Sequence, residues 1–271
     1  MALALEDEWV DVLNKAITGP NRDPGLLSRQ SGVPETEIKR LCAGKLQVRH
    51  LEALAPKLGL RPAPLLDLAQ DRYHPEVAPP EEGFLAHTTP FGDMDVNAYL
   101  IWDPASKRGL IFDTGGNAKT MLDRVRQEGI TVQGVFLTHA HGDHIFDLPA
   151  VLKATKAPAW IGEGEEIPEA RPFSAGHAFD LAGFHIETRL TRGHSPYGIT
   201  YVIHGHPCGH AIAVVGDALF AGSMGGGRVD YADALKTTRE RILSLPGDTL
   251  LCPGHGPLTT VALEKKHNPF F

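Results

Sequence analysis

The sequence predicts a mixed α/β protein in which a small all-α unit precedes a larger domain of strands and covering helices. Three observations support this division. The first quarter of the chain has helical periodicity with helix stop signals, and residues 71–80 then form a proline-rich break. After the break, short apolar runs that favour β-strands recur next to histidine or aspartate. We therefore expect a helical domain over 1–75, a linker over 76–83 and the larger domain over 84–271.

The helical domain is predicted to contain two short helices joined by a glycine turn. Residues 25–30 form the first helix and residues 36–41 form the second, with Gly32 in the turn between them. Gly44 is expected to end the second helix, because glycine readily adopts the left-handed conformation of a C-terminal cap. Leucine and alanine residues continue an apolar stripe through residues 51–60, which predicts a further helix.

This arrangement resembles the helix-turn-helix of the Cro-like repressor family. The resemblance implies that residues 25–49 contact DNA, with Lys39 and Arg40 on the reading helix. The basic bias is mild, since the acidic residues Glu35 and Glu37 lie on the same helix. Two interpretations stay open: a DNA-binding module fused to an enzyme, and a scaffold that supports dimerisation or covers the active site. We favour the scaffold, and we expect a homodimer because such domains often pair.

Four apolar runs in the larger domain are predicted to be buried strands. They cover residues 134–138, 199–203, 211–215 and 249–252. Histidine or aspartate residues lie beside each run, in segments that also contain glycine. We therefore expect the strands to deliver polar side chains to one edge of a sheet.

The most specific pattern in the chain is H-x-H-x-D-H at residues 139–144, directly after the first of these strands. Its first two histidines are expected to project together and its last two residues to the other side, with Gly142 turning the backbone sharply. Imidazole and carboxylate groups suit zinc, and imidazole also suits iron and manganese. Any one of the 14 histidines alone would mean little, but the combination predicts a two-metal site. Its expected ligands are His139, His141, Asp143, His144, His194, Asp217 and His255.

These segments resemble the metallo-β-lactamase fold superfamily over about residues 83–271. Besides the motif at 139–144, the similar segments are Asp-Thr-Gly-Gly at 113–116, Gly-Asp at 216–217 and Pro-Gly-His-Gly at 253–256. The local sequence is most similar to glyoxalase II-like hydrolases. The resemblance implies an αββα sandwich of four layers, in which two mixed sheets face each other and helices cover both outer sides. Metal ions would lie at one end, between the sheets.

The resemblance also implies a role for each ligand. One metal would be held by His139, His141 and His194, the other by Asp143, His144 and His255, with Asp217 bridging both. We expect two divalent ions, zinc first among the candidates, with iron and manganese as alternatives. Asp143 would be the catalytic residue that orients the nucleophile or handles its proton. Asp113 would either accept a hydrogen bond from a ligand imidazole or cap its loop, and both roles stay open.

Two further residues are candidates for contact with substrate. Arg228 follows a run of three glycines and would reach an acidic group, and Tyr197 would offer its hydroxyl to an oxyanion. For Tyr197 the alternative is an aromatic anchor packed beside its loop. Only 16 residues follow His255, so we expect no C-terminal helical domain of the kind that helps glyoxalase II bind glutathione.

The predicted function is hydrolysis of a small thioester or ester, of the hydroxyacylglutathione hydrolase type, by a metal-bound hydroxide. Three alternatives stay open. The first is an iron-dependent persulfide dioxygenase, which shares the fold and would hold one iron through His139, His194 and Asp217. The second is a lactonase or β-lactamase, and the third is a DNA-binding regulator with a metal-dependent sensor domain.

Charge and targeting signals narrow the expected partners. The net charge of −7 falls on residues 76–271, because residues 1–75 carry equal numbers of acidic and basic groups. An acidic catalytic domain disfavours a large polyanion, so we expect a small-molecule acyl substrate. The chain has no run of about 18 apolar residues and no basic, apolar leader, which predicts a cytoplasmic protein without membrane contact. The histidine-rich stretch 204–210 is predicted to be a hairpin turn, with an accessory metal site as the alternative.

Overall fold

Two six-stranded β-sheets form the centre of the computed structural model, which describes residues 3–271. The first sheet contains, in spatial order, β1 (Phe84–Phe91), β2 (Met94–Asp103), β3 (Arg108–Phe112), β4 (Thr131–Leu137), β5 (Ala159–Gly162) and β6 (Ala170–Phe173). The second contains β7 (Ala178–Leu181), β8 (Phe184–Leu190), β9 (Ile199–His204), β10 (Ile212–Gly216), β11 (Leu250–Pro253) and β12 (Thr259–Thr260). Both sheets are mixed, since β3 to β6 pair in parallel, as do β10 and β11, and the other neighbours are antiparallel.

Helices cover both outer faces of this sheet pair. They are α6 (Lys119–Glu128), α7 (Gly142–Ile145), α8 (Leu148–Thr155), α9 (Tyr231–Thr237), a π-helical turn (Thr238–Ile242) and α10 (Val261–His267). Apolar side chains such as Phe136 and Tyr201 fill the space between the sheets. Separate apolar clusters join the first sheet to α6 and α8 and the second sheet to the π-helical turn and α10. The predicted αββα sandwich is therefore confirmed.

The four predicted strands correspond to β4, β9, β10 and β11, but they do not share one sheet. The run that precedes the H-x-H-x-D-H motif is β4 of the first sheet, whereas the other three belong to the second. The expectation of a single sheet edge is therefore wrong. Apolar runs of this length do not encode which sheet a strand joins, because both sheets bury one face against the other.

All regular secondary structure that the structure describes in the N-terminal unit is helical. It contains α1 (Trp9–Thr18), α2 (Pro24–Ser31), α3 (Glu35–Cys42), α4 (Val48–Leu54), a 3₁₀ turn (Ala55–Leu58) and α5 (Pro62–Ala69). The two predicted short helices lie within α2 and α3, and Gly32 between them has a φ of 73°. Asp23 begins α2 by accepting a hydrogen bond from the backbone N–H of Leu26.

The helical unit packs directly on the sandwich. Its apolar cluster includes Met224, Tyr231 and Phe270 from the C-terminal half of the chain. Arg61, at the start of α5, donates hydrogen bonds to the backbone carbonyls of Lys265 and Phe271. Residues 70–83 contain no helix or strand and lead to β1, so the predicted linker at 76–83 lies inside an irregular connection. The shared core means that the two parts meet across a packed interface.

Candidate metal centre

The H-x-H-x-D-H motif occupies the turn that follows β4 in the first sheet. His139 and His141 lie in the loop, and the short helix α7 then presents Asp143 and His144. Gly142 begins this helix without a positive φ, and a Cβ added there would meet only one atom within 4 Å. The expectation that Gly142 is needed for a sharp turn is therefore wrong, because an ordinary side chain would fit.

The structure collects the seven expected ligands into two adjoining groups. Within residues 3–271, the potential ligand atoms of each group lie within 4.8 Å of one another. One group contains His139, His141, His194 and Asp217, and the other contains Asp143, His144 and His255. In the first group the Nε2 atoms of His139 and His194 each lie 3.0 Å from Nδ1 of His141. Three imidazole nitrogens thus converge on one point.

Asp217, which follows β10, lies between the two groups. Its Oδ2 is 3.2 Å from Nε2 of His194 and 3.4 Å from Nε2 of His255. Its Oδ1 is 3.2 Å from Nε2 of His144. Oδ2 of Asp143 lies 3.2 Å from the same nitrogen of His255. One carboxylate therefore faces ligands of both groups, which is the geometry required of a bridging ligand.

The outward-facing nitrogens of these imidazoles have partners of their own. Nδ1 of His144 is 2.8 Å from Oδ2 of Asp113, which also accepts from Oγ1 of Thr138 at 2.8 Å. Nδ1 of His255 donates to the backbone carbonyl of Asp95 at 2.6 Å. Such contacts fix the tautomer and the orientation of an imidazole, so that its other nitrogen faces the metal.

Two glycines allow loops to approach Asp217 closely. A Cβ on Gly254, next to His255, would lie 2.2 Å from Oδ1 of Asp217 and 2.6 Å from Cε1 of His144. A Cβ on Gly225, in the glycine run before Arg228, would lie 1.9 Å from the backbone oxygen of Asp217. Both positions are therefore too close to Asp217 for any side chain.

Burial and mutual contacts set the charges of the cluster. Burial lowers the pKa of His139 well below its ordinary value and that of His194 to about 4, so both imidazoles are neutral at pH 7. Burial alone would raise the pKa of Asp217, but His144 and the other histidines outweigh it and hold that pKa well below its ordinary value. Asp217 is thus ionised. These are the protonation states that metal ligands need.

The remaining two imidazoles respond to the carboxylates. Burial lowers the pKa of His255, but its contacts with Asp143 and Asp217 prevail and raise it to about 10. Asp217 and Asp113 raise the pKa of His144 in the same way against the effect of burial. A divalent cation would replace these protons as the positive charge facing the carboxylates.

Two buried atoms of the cluster indicate that the residues fit metal ions. Nε2 of His144 and Oδ1 of Asp217 make no hydrogen bond within residues 3–271, although they lie 3.2 Å apart. An unsatisfied buried nitrogen and carboxylate oxygen are costly unless a further partner is present. The donor set of imidazoles and carboxylates is also the one that zinc, iron and manganese accept. The two groups therefore fit divalent metal ions.

The cluster lies at the base of an open cleft of about 550 Å³. Met94 and Phe220 provide apolar surface on its walls, and Arg228 from the sandwich lines it as well. The helical unit contributes Glu6 and Lys15. Burial, as the largest influence, raises the pKa of Glu6, although His255 lowers it. The cleft is thus formed by both parts of the molecule.

Other predicted residues lie away from the cluster. Tyr197 is 45% exposed and lines a separate depression beside Gly164, so its hydroxyl is not among the groups that line the metal cleft. Lys39 and Arg40 are exposed on α3, where Arg40 pairs with Glu37 at 3.3 Å. The stretch 204–210 connects the antiparallel strands β9 and β10 and joins neither group of potential metal ligands within the described residues 3–271.

Several contributors to the site were not among the predicted site residues. Thr138 and the carbonyl of Asp95 orient ligand imidazoles, and Glu6, Asp7 and Lys15 line the cleft from the N-terminal unit. A threonine at the end of a strand before the motif was a detectable signal for Thr138. The others depend on contacts between distant parts of the chain.

Comparison with known families agrees with this geometry. A model of the metallo-beta-lactamase superfamily matches residues 91–255, which is more than half of the chain. The chain belongs to this superfamily. All seven clustered residues lie within the matched range, whereas the whole helical unit precedes it.

Two relatives of this superfamily member align with it over almost their entire length. The probable metallo-hydrolase YqgX of Bacillus subtilis is 30% identical over 207 residues, which cover 67% of this chain and 94% of the relative. The hydroxyacylglutathione hydrolase GloC of Haemophilus influenzae is 30% identical over 199 residues, which cover 64% of this chain and 92% of the relative. About a third of this superfamily member therefore lies outside both alignments.

Solved structures are similar over the same share of the chain. The B3 metallo-beta-lactamase BLEG-1 is 28% identical with a TM-score of 0.60, and covers 69% of this chain and 99% of its own. A di-iron-bound form of TTHA1623 is 28% identical with a TM-score of 0.55, and the match covers 68% of this chain and 100% of TTHA1623. ETHE1 from Myxococcus xanthus is 23% identical with a TM-score of 0.60, and the match covers 68% of this chain and 83% of ETHE1. At this identity the similarity to ETHE1 supports the fold alone. None of the helices in residues 3–271 has the length and apolar character needed to cross a membrane.

Proposed function

We propose that this protein is a dinuclear metal-dependent hydrolase of small thioesters or esters. The position of Asp217 carries the proposal, because one carboxylate faces His194 of one ligand group and both His144 and His255 of the other. A site for a single metal would not need two complete groups on either side of a shared carboxylate. Two divalent ions in such a site, with zinc as the first candidate, would supply an activated water and stabilise the oxyanion of the reacting carbonyl.

The chain's own residues have distinct roles in this proposal. The first ion would be held by His139, His141 and His194, the second by Asp143, His144 and His255, and Asp217 would bind both. Asp143 is half-buried and lines the cleft, so its carboxylate also faces the space in which substrate and water would lie. It would orient the attacking water and accept its proton.

Asp113 is proposed to position His144 rather than to touch substrate. It is buried, and its two oxygens are occupied by His144 and by the N–H and hydroxyl of Thr138. Three contacts leave little freedom for the carboxylate, so the imidazole that it holds is fixed before any ligand arrives. Arg228, exposed on the cleft wall, would attract an acidic group of the substrate.

The choice of a thioester or ester rests on the relatives. GloC is named a hydroxyacylglutathione hydrolase and YqgX a probable metallo-hydrolase, and both align over almost their entire length. The open cleft has room for an acyl group and a small leaving group above the cluster. Iron stays a second candidate for the metal, since TTHA1623 binds two iron ions.

Hydrolysis of a β-lactam or lactone is a second candidate, which the similarity to BLEG-1 favours. The two reactions differ in the carbonyl compound attacked and use the same ligand groups. An enzyme assay with both kinds of substrate therefore separates them, whereas the cluster geometry supports both.

A substrate panel tests the proposal. We expect the metal-loaded protein to hydrolyse acyl thioesters, and a His139→Ala/His141→Ala double variant to lose both bound metal and activity. A His185→Ala/His204→Ala variant is the matched control. The ring centroids of these two histidines also lie close together, 6.1 Å apart, but neither ring lines the metal cleft. Unchanged activity and metal content in the first double variant would contradict the proposal.

A further inference from the structure

The segment before α1 and α1 itself bring charged side chains of the helical unit to the metal cleft. Glu6, Asp7 and Lys15 line the same cleft as His141, Asp143 and the other ligands. All three precede residue 91, where the match to the superfamily model begins. The part of the cleft wall that they form is therefore specific to this chain's N-terminal unit.

Two of these three charges are already satisfied. Asp7 and Lys15 form an ion pair, and Asp7 also accepts a hydrogen bond from the hydroxyl of Ser223. Lys15 donates a second hydrogen bond to the backbone carbonyl of Met224 at 2.8 Å. The pair is thus locked to the loop that follows Asp217, and it presents no net charge to a ligand.

Glu6 differs from its neighbour Asp7 in having no partner. Its side chain is half-buried on the cleft wall, and within residues 3–271 it makes no hydrogen bond or ion pair. Burial, as the largest influence, removes part of its hydration and raises its pKa; the carboxylates of Asp7 and Asp217 act in the same direction, against the favourable charges of His255 and Lys15. A positively charged group on a ligand in the cleft would offset these costs.

Two partners can be considered, the metal ions and a cationic group of the ligand. Asp143 and Asp217 are the carboxylates that would hold the metal ions, whereas Glu6 is not a member of either ligand group. Its backbone and Cβ lie close to Gly256, the residue after His255, and its side chain lines the open cleft, into which a substituent of a metal-bound ligand would extend. This placement favours the ligand over the metal ions as the partner of Glu6.

We propose that Glu6 is a specificity-determining residue that selects small ligands carrying an ammonium group close to the atom bound at the metal cluster. The inference rests on the proposed function in one respect, which is that metal ions hold the reacting head group at the base of the cleft. It extends that function by naming the substrate class, small acyl thioesters or esters with a cationic amine. The helical unit then acts as a wall that selects substrates by charge.

Binding of two simple thiols to the cobalt-substituted protein tests this proposal without any turnover. Cysteamine and 2-mercaptoethanol place an ammonium or a hydroxyl at the same distance from the thiolate that binds the metal. Their dissociation constants can be followed through the cobalt absorbance for the wild type, Glu6→Gln and Glu6→Asp. For each protein we take the ratio of the two dissociation constants. The difference in pKa between the two thiols affects this ratio equally in every variant, so it cancels when the variants are compared.

We expect the preference of the wild type for cysteamine over 2-mercaptoethanol to fall about tenfold in Glu6→Gln, a typical effect for a partly buried charged hydrogen bond. Binding of 2-mercaptoethanol should change less than about twofold on the same grounds, and Glu6→Asp should recover part of the preference. Glu52→Gln, which removes an exposed carboxylate on α4, is the matched control and should behave like the wild type.

Three outcomes would overturn the inference: an equal preference in the wild type and Glu6→Gln, an equal loss of affinity for both thiols, and a wild type that binds neither thiol. The proposed hydrolase function fails separately. If no thioester is hydrolysed but the preference depends on Glu6, the charge selection stands and the proposed reaction is wrong.

Discussion

The sandwich and the helical unit both contribute to the metal cleft, but their residues reach it by different routes. The sandwich supplies ligands from short loops beside strands, such as the motif after β4 and Asp217 after β10. The helical unit supplies Asp7 and Lys15 through contacts with residues more than 200 positions away. The first kind of contribution follows from local spacing, and the second depends on how distant parts of the chain pack. Under the two proposals made above, the chemistry would reside in the sandwich and the choice of ligand at the interface.

The largest effect is expected from Asp217→Ala, which tests whether one sandwich residue serves both ligand groups. We expect bound metal to fall well below two ions per chain and hydrolysis to drop by more than about a hundredfold. Loss of a residue that hydrogen-bonds to a metal ligand already lowers metal affinity or activity by about 10–100-fold, and loss of a shared ligand should lower them further. Elemental analysis and a thioester assay measure the two effects.

A contrast with His255→Ala sharpens this test. His255 belongs to only one ligand group, so its removal should leave the first ion bound. If Asp217→Ala and His255→Ala lose the same amount of metal, Asp217 does not bridge the two groups.

Asp113→Asn should have the next largest effect, on metal affinity rather than on substrate binding. An asparagine cannot accept from His144 and Thr138 with both of its terminal atoms, so the imidazole loses its fixed orientation. Metal affinity should fall by about 10–100-fold, as measured by competition with a chelator.

Asp180→Asn provides the control for this variant. Asp180 also contacts a histidine at 2.8 Å, but that histidine, His185, is exposed on the outside of the second sheet. An equal loss of metal affinity in both variants would contradict a positioning role for Asp113.

The packed interface between the two parts predicts a pH-dependent effect on stability. Glu264 is fully buried in α10, and Tyr73 from the connection to the helical unit donates to it at 2.9 Å. Burial raises the pKa of Glu264 above its ordinary value of 4.5. The folded protein therefore binds this proton more tightly than the unfolded chain does, and stability from this group is lost as the pH rises above 4.5.

Glu264→Gln should make this effect visible. At about pH 4 the variant should be less stable by about 1–3 kcal/mol, because an amide replaces one acceptor oxygen in a buried network. The difference in unfolding free energy between the wild type and the variant should narrow as the pH rises. Ionisation of buried Glu264 destabilises the folded wild type, whereas glutamine does not ionise. Denaturant unfolding at several pH values measures the free energies, and a difference that widens with pH would contradict the account.

The smallest effect is expected from Lys39→Ala/Arg40→Ala on the exposed face of α3. Neither residue lines the cleft, and a surface ion pair such as that of Arg40 with Glu37 contributes about 0–1 kcal/mol. Hydrolysis should remain within about twofold of the wild type on these grounds. A gel-shift assay at low salt with genomic fragments completes the test, because specific retardation that this variant abolishes would favour DNA binding over our proposal of a cleft wall.

The ligand set could be predicted because chemistry restricts it to few residue types at short spacing. The H-x-H-x-D-H motif and the isolated His194, Asp217 and His255 all carry side chains that metals require, and glycine or a strand adjoins each. The helices α2 and α3 could be predicted from capping and periodicity, which are also local.

The remaining features depend on tertiary packing. Apolar runs did not reveal that β4 lies in a different sheet from β9, β10 and β11. Glu6 resembles any charged residue near an N-terminus, and its place on the cleft wall arises only because the helical unit packs on the loop after Asp217. Tyr197 lies three residues after His194 in the sequence, yet its ring lies against Gly164 and lines a separate depression.

Elemental analysis of the wild type purified without chelators tests the central claim most directly. We predict about two divalent ions per chain, as zinc or a mixture of zinc and iron, because two ligand groups share Asp217. About one iron per chain would contradict the dinuclear site and would favour an oxygen-consuming dioxygenase instead.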